Sequence, residues 1–264
     1  MSAPLAAVRG LSVTYRAYGG RHIALQGIDL DLKAGEKLAI IGESGSGKST
    51  FALALAGLLP FEAIVGGTVD WPALGHRPQA GKDIGVVFQD PGSSLNPVLR
   101  IGEQVAEGAR RHLGLGRHAA RERARDLLAR VRIPDPDAAL NAYPHQFSGG
   151  QRQRIAIAGA IAARPSLLIA DEATSALDTV VQAEIAALLD ELVREDAMTL
   201  LFVTHDIALA ATLSDRLAVF HDARLVEIGA TADVIRTPRE DYTRALIATH
   251  IDFTSPRLVG EVTP

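Results

Sequence analysis

The stretch GESGSGKST, Gly42 to Thr50, constrains this chain more than any other. It follows an apolar run, Leu38-Ala39-Ile40-Ile41, and precedes FALALAGLL, where good helix formers predict a helix over Phe51–Leu59. A buried strand, a glycine-rich turn and a helix in that order are the setting of a P-loop. Gly42, Gly45 and Gly47 let the backbone turn tightly and aim its N–H groups inward, and the helix start adds partial positive charge. Glu43, Ser44, Ser46 and Thr50 complete the loop and are candidates with it. Lys48 suits the β- and γ-phosphates, and the Ser49 hydroxyl suits a Mg²⁺ that bridges them. The dinucleotide fingerprint needs a further glycine at the helix-packing position, and none follows. The stretch reads as a nucleoside triphosphate site. A glycine-rich turn that binds nothing is the plain alternative, and the flanking strand and helix argue against it.

Length allows one large domain or two small ones in 264 residues. With 47% hydrophobic and 22% charged residues the chain can bury a core. A net charge of −4 gives no reason to expect a nucleic acid or an anionic lipid as the main partner. The absence of cysteine excludes disulfides, thiolate zinc sites and Cys-ligated iron–sulfur clusters. MSAPLAAVRG does not read as a signal peptide, and no run approaches the ~18 apolar residues of a spanning helix. Any work at a membrane is therefore expected to require docking on something else there.

Along the chain, Ala6 to Leu32 alternates apolar and polar residues around the turn-like YGGRH and predicts β structure. Gly66 to Trp71 predicts a short strand, and IGVVF (84–88) a buried one. From Asp90 to about Ile161 the pattern turns to helices and polar loops. Arg110 to Arg132 carries eight arginines against Glu122 and Asp126 at helical spacing, expected as one solvated helix ended by Pro134 and Pro136. A nucleic-acid surface there lacks interleaved aromatic residues. LLIAD (167–171) and TLLFV (199–203) predict two more strands, joined by a helix over Val180–Arg194. LAVF and RLVEIG flank His221-Asp222-Ala223 as short strands, and a helical tail begins at Thr231.

The strand LLIAD ends in Asp171-Glu172, where Asp171 can join the Mg²⁺ shell and Glu172 can polarise an attacking water. Gln89 follows IGVVF and His205 follows LLFVT. Polar side chains at several strand ends share one edge of a parallel sheet, the edge beyond which ligands bind in such folds. Ser148-Gly149-Gly150-Gln151 immediately precedes a helix and forms a second anion nest. Two such nests in one chain invite a dimer in which each closes over the partner's nucleotide. The plain alternative is a serine N-cap with glycines in a loop.

Taken together these residues resemble the ABC transporter ATPases over nearly the whole chain. GESGSGKS matches the Walker A motif, LLIADE the Walker B motif and FSGGQ the signature. Gln89 matches the Q-loop glutamine, Ser175-Ala176-Leu177-Asp178 the D-loop and His205 the switch histidine. Tyr15 stands where the family places the aromatic that stacks on adenine, with Tyr18 a weaker substitute. Phe147 replaces the usual signature leucine and Ala173 a common proline, and neither change removes a reacting group. FQDPGSSLNPVLRIGEQVAE and TPREDYTRALIATH resemble importers of oligopeptides, dipeptides and nickel or nickel chelates. The short, cysteine-free tail is more like the nickel and metallophore branch.

The resemblance implies an α/β fold: a P-loop NTPase (RecA-like) core over residues 1–250, an N-terminal antiparallel β region, and an inserted helical subdomain at about 90–163. Residues 251–264 form a short tail. It implies ATP and Mg²⁺ as cofactors, with Ser49, Gln89 and Asp171 around the metal and Glu172, His205, Gln89 and Lys48 as the reacting group. The implied partners are a second ATPase subunit, two integral membrane permease subunits and, indirectly, a solute-binding protein, at the cytoplasmic face of the inner membrane. Two other classes stand beside this reading: a soluble ABC ATPase uncoupled from transport, and a small-molecule P-loop kinase.

Overall fold

The computed structural model describes residues 3–17, 20–90, 94–174 and 177–250. Strands β1 (Ala6–Ala17) and β2 (Gly20–Leu32) pair antiparallel. Next come β3 (Lys37–Ile41), α1 (Lys48–Ala56), β4 (Ile64–Asp70) and β5 (Ile84–Val87). Helices α2 (Ile101–His112), α3 (Arg117–Arg130), α4 (Pro136–Ala139) and α5 (Gly149–Ala160) follow, with a 3-10 turn at Pro144–Gln146 ahead of α5. Then β6 (Leu167–Asp171), α6 (Thr179–Glu195), β7 (Thr199–Val203) and α7 (Ile207–Leu213) alternate. The described residues close with β8 (Arg216–His221), β9 (Arg224–Ala230), α8 (Thr231–Arg236) and α9 (Asp241–His250).

The strands form a three-stranded sheet, β2-β1-β4, and a six-stranded sheet, β5-β6-β7-β3-β8-β9. In the larger sheet only the β8–β9 pair is antiparallel. Strands of a parallel sheet are covered on both faces, so their sequences read as unbroken apolar runs. That is why KLAII, LLIAD and TLLFV are legible. Alternation then assigns each residue a face. Leu38, Ile40, Leu167 and Ile169 pack with α1 and the small sheet. Ala39, Ile41, Leu168 and Ala170 pack with α6 and the helices inserted between β5 and β6.

Three expectations are corrected. The helix after the glycine loop begins at Lys48 rather than Phe51, because Gly47 at φ +103° is its N-cap, and it stops at Ala56, where Gly57 adopts φ +68°. Lys48 and Ser49 thus sit in a first helical turn with unpaired N–H groups. Arg110–Arg132 is not one helix: α2 ends at His112 and Gly114, at φ +65°, turns the chain before α3. Pro134 lies beyond the end of α3, and Pro136 opens α4 instead of ending a helix. Three of the run's eight arginines are ion-paired, Arg125 with Asp137, Arg130 with Glu195 and Asp196, and Arg132 with Glu191.

Candidate functional site

Parallel register aligns the strand ends. Ile40 of β3 and Asp171 of β6 both pair with Val203 of β7, which lies between them, and Ile41 pairs with Val219 of β8. The chain leaving β3 turns at Gly42, at φ +149°, where a Cβ would come within 2.1 Å of the Phe220 carbonyl oxygen. At Gly47 a Cβ would lie 2.4 Å from the Ala24 carbonyl oxygen. Only glycine fits either place. Gly42→Ala should therefore lower stability by at least about 1–3 kcal/mol of backbone strain alone, read as a lower unfolding midpoint in urea. An unchanged midpoint contradicts the tight approach to β8.

Lys48 is buried at 4% exposure, and its Nζ donates to the carbonyls of Gly42 at 2.9 Å and Glu43 at 2.7 Å. Burial pulls its ammonium below the usual range, against the opposing pull of Glu172, Asp171 and Glu43. The Ser49 hydroxyl donates to Asp171 Oδ1 at 2.9 Å, joining the helix start to a strand two places away in the sheet. Burial pushes the Asp171 carboxyl up, the Ser49 bond opposes this and the Glu172 charge adds to it. Glu172 leaves the strand at φ +47°, an uncommon backbone for a non-glycine residue, with its N–H bonded to the Val203 carbonyl at 2.9 Å. The Ser46 hydroxyl is buried without a hydrogen-bond partner.

The glycine loop, Gln89, Glu172 and Tyr15 line one cleft of about 330 Å³. The Tyr15 hydroxyl donates to Thr50 Oγ1 at 3.3 Å, which puts the ring at the cleft wall. Tyr18 lies outside the described residues. His22 and Ala24 also line the cleft and were missed by sequence reasoning. The available signal was the hairpin register, which pairs His22 with Tyr15. The donors fit a polyphosphate with a divalent cation: N–H groups at a helix start, a buried ammonium, an orphan hydroxyl, and a hydroxyl–carboxylate pair.

Two predicted groups stand apart from that cleft. His205 is exposed in the turn after β7 and does not line it. Ser148 N-caps α5: its Oγ accepts from the Gln151 N–H at 3.3 Å, while the Ser148 N–H donates to Gln151 Oε1 at 2.9 Å. The serine cap does not use up the hydroxyl, since an accepting hydroxyl still has its own proton to donate outward. Gly149 and Gly150 lie against Leu177 and Val181, where Cβ atoms would come within 3.6 Å and 2.9 Å of those side chains. Asp178 caps α6, its Oδ1 accepting from the Val181 N–H at 3.0 Å. Ser175 and Ala176 of the expected D-loop lie outside the described residues.

The ABC transporter family model matches residues 25–175. The oligopeptide transport ATP-binding protein OppD of Bacillus subtilis is 41% identical over 251 residues, 91% of this chain and 70% of that protein. The dipeptide transport ATP-binding protein DppD of Haemophilus influenzae is 41% identical over 255 residues, 93% of this chain and 77% of that protein. Among solved structures, a dimeric ATP-binding cassette in a post-hydrolysis state with ADP and Pi is 30% identical, with a TM-score of 0.73 over 86% of this chain and 98% of that one. cbiO1 of Clostridium perfringens, part of the ABC transporter complex cbiONQ, is 29% identical, with a TM-score of 0.72 over 95% of this chain and 100% of that one. The glycine loop, the acidic strand end and the capped helix start at Ser148 therefore sit in a chain that belongs to the ABC transporter family, as one of its ATPases.

Proposed function

We propose that this chain hydrolyses Mg·ATP to drive the import of peptides, working on the cytoplasmic face of a membrane with a second ATPase subunit and two permease subunits. The observation that carries the reading is the Ser49–Asp171 bond, which closes the glycine loop onto the acidic strand end with Glu172 in the same cleft. In this reading Tyr15 stacks on adenine, and Lys48 with the loop amides of residues 42–50 cradles the phosphates. Ser49, Gln89 and Asp171 hold the metal, which when bound neutralises charge on the phosphate oxygens. Glu172 orients and polarises the attacking water, and His205 contacts the γ-phosphate once the interface closes. Phosphoryl transfer needs positioning and charge neutralisation more than covalent help, and these groups supply both.

Among the described residues no helix is long and apolar enough to cross a membrane, so the solute path is assigned to partner chains. A groove between β5, α2 and α5, bordered by the exposed Leu58, Phe88 and Leu99, offers apolar surface beside Gln89 for a permease subunit. The peptide names of the relatives favour peptides over nickel complexes as cargo. Reconstitution with the permease subunits and the solute-binding protein tests the reading. ATP-dependent uptake of labelled peptide, lost in Lys48→Ala, is expected; uptake of nickel without peptide uptake reverses the cargo assignment.

Adenine recognition gives a separate expectation. Stacking on an aromatic face contributes about 1–3 kcal/mol, so Tyr15→Ala should weaken ATP binding roughly tenfold or more. Tyr15→Phe keeps the ring and loses only a 3.3 Å bond to Thr50, so its affinity should fall by no more than about fivefold. Binding measured with a fluorescent nucleotide decides. Loss in Tyr18→Ala alone moves the stacking role to Tyr18.

A further inference from the structure

The C-terminal helix reaches back to the phosphate cradle. Glu227 of β9 seats it: the carboxylate accepts from the Arg239 N–H at 2.9 Å and the Glu240 N–H at 3.2 Å, just ahead of α9. N–H groups at a helix start have no partner within the helix, and a carboxylate there also meets the positive end of the dipole. Burial pushes the Glu227 carboxyl up, but the hydrogen bonds outweigh it and hold it below the usual range.

So seated, α9 presents Tyr242 to two groups. Its ring stacks on His221 at the end of β8, with centroids 3.8 Å apart and planes 21° from parallel. Its phenol oxygen accepts the Glu43 N–H at 3.3 Å. That N–H belongs to the same peptide unit as the Gly42 carbonyl, which accepts from Lys48 Nζ at 2.9 Å. A trans peptide directs its C=O and N–H to opposite sides. The Gly42–Glu43 peptide is therefore held from both sides, by the C-terminal helix on one and by Lys48 on the other. Gly42 packs on Phe220, the neighbour of His221, so β8 backs both contacts.

We propose that Tyr242 is a positioning residue for the phosphate cradle. It fixes the orientation of the Gly42–Glu43 peptide and thereby the place from which Lys48 reaches the phosphates. The proposal rests on the reading of this loop as the ATP site. A loop ordered before its ligand arrives loses less entropy on binding, so the contribution falls on ATP affinity. Once ATP is bound, contacts from Lys48 and the loop amides to the phosphates hold the loop, and the rate of the bound complex depends little on Tyr242.

Tyr242→Phe removes the hydrogen bond and keeps the ring on His221. In the assembled transporter, Kd and KM for ATP should rise about two- to tenfold, the worth of one hydrogen bond, with kcat within about twofold of wild type. Glu227→Ala, which unseats the helix, should move Kd the same way. Wild-type Kd and KM in Tyr242→Phe, or a fall confined to kcat, overturns the proposal. A lower melting temperature with wild-type Kd assigns Tyr242 to packing alone and overturns it too. Lys48→Ala tests the underlying reading separately: undiminished ATP binding there rejects the ATP site itself, whatever Tyr242 does.

Discussion

Glu172→Gln should bind Mg·ATP about as well as wild type and hydrolyse it at least about a hundredfold more slowly. A positioned general base contributes roughly 10²–10⁴ in rate, and the amide keeps the size and hydrogen bonding of the carboxylate without its basicity. The structural warrant is the left-handed backbone at φ +47°, which turns the chain out of β6 at this residue. Its side chain then lines the cleft, while Asp171, one residue earlier, is bonded to Ser49. Adjacent carboxylates thus hold different places, one on the helix start and one lining the cleft. Because turnover is what reopens a closed interface, the variant should also accumulate an ATP-bound dimer, visible by size-exclusion chromatography. Near-normal single-turnover hydrolysis in the purified transporter would remove Glu172 from the reaction and leave Gln89 or His205 to orient the water.

Ser148→Glu should leave ATP binding by the isolated chain intact and abolish closure and hydrolysis. Ser148 does not line the cleft of its own chain, and the proposal is that it meets a nucleotide held by the opposite subunit. On that proposal a carboxylate placed there would face the γ-phosphate. Two like charges 4 Å apart at an effective dielectric of 20 repel by about 4 kcal/mol, a factor of roughly a thousand. Loss of the serine cap costs about 1 kcal/mol of helix stability, too little to unfold the domain. Mixing separates sharing across the interface from action within one chain. Pairing Ser148→Glu with Lys48→Ala, each inactive alone, should restore activity under sharing, because one composite site then combines an intact Lys48 with an intact Ser148 of the partner. Pairing a chain that carries both changes with a wild-type chain should leave no intact site. The reverse pattern, no rescue in the first mixture and one working site in the second, places both groups in the same chain's site.

The candidate site was legible because its parts are contiguous in sequence. GESGSGKST brings its own strand, turn and helix, and LLIADE brings a carboxylate at the end of an apolar run. The limits of β6 and β7 match LLIAD and TLLFV because both faces of those strands are buried, and burial on both faces leaves an unbroken apolar signature. Where a boundary hung on a single glycine conformation the reading failed. Gly57 stopped α1 early and Gly114 split the arginine-rich stretch in two.

The order of the motifs and the family were thus determined by the sequence alone, since each depends on side-chain type and local spacing. Only the tertiary structure decided how the candidate groups are held. It rests Lys48 on two backbone carbonyls, joins Ser49 to Asp171, and turns Glu172 through a left-handed residue. It sets Tyr15 against Thr50, and holds Glu43 with Tyr242 from 199 residues along the chain. Such contacts leave no local pattern, because either partner is an ordinary residue in its own segment. They exist only where strand register and helix packing bring remote parts of the chain to the same edge of the sheet.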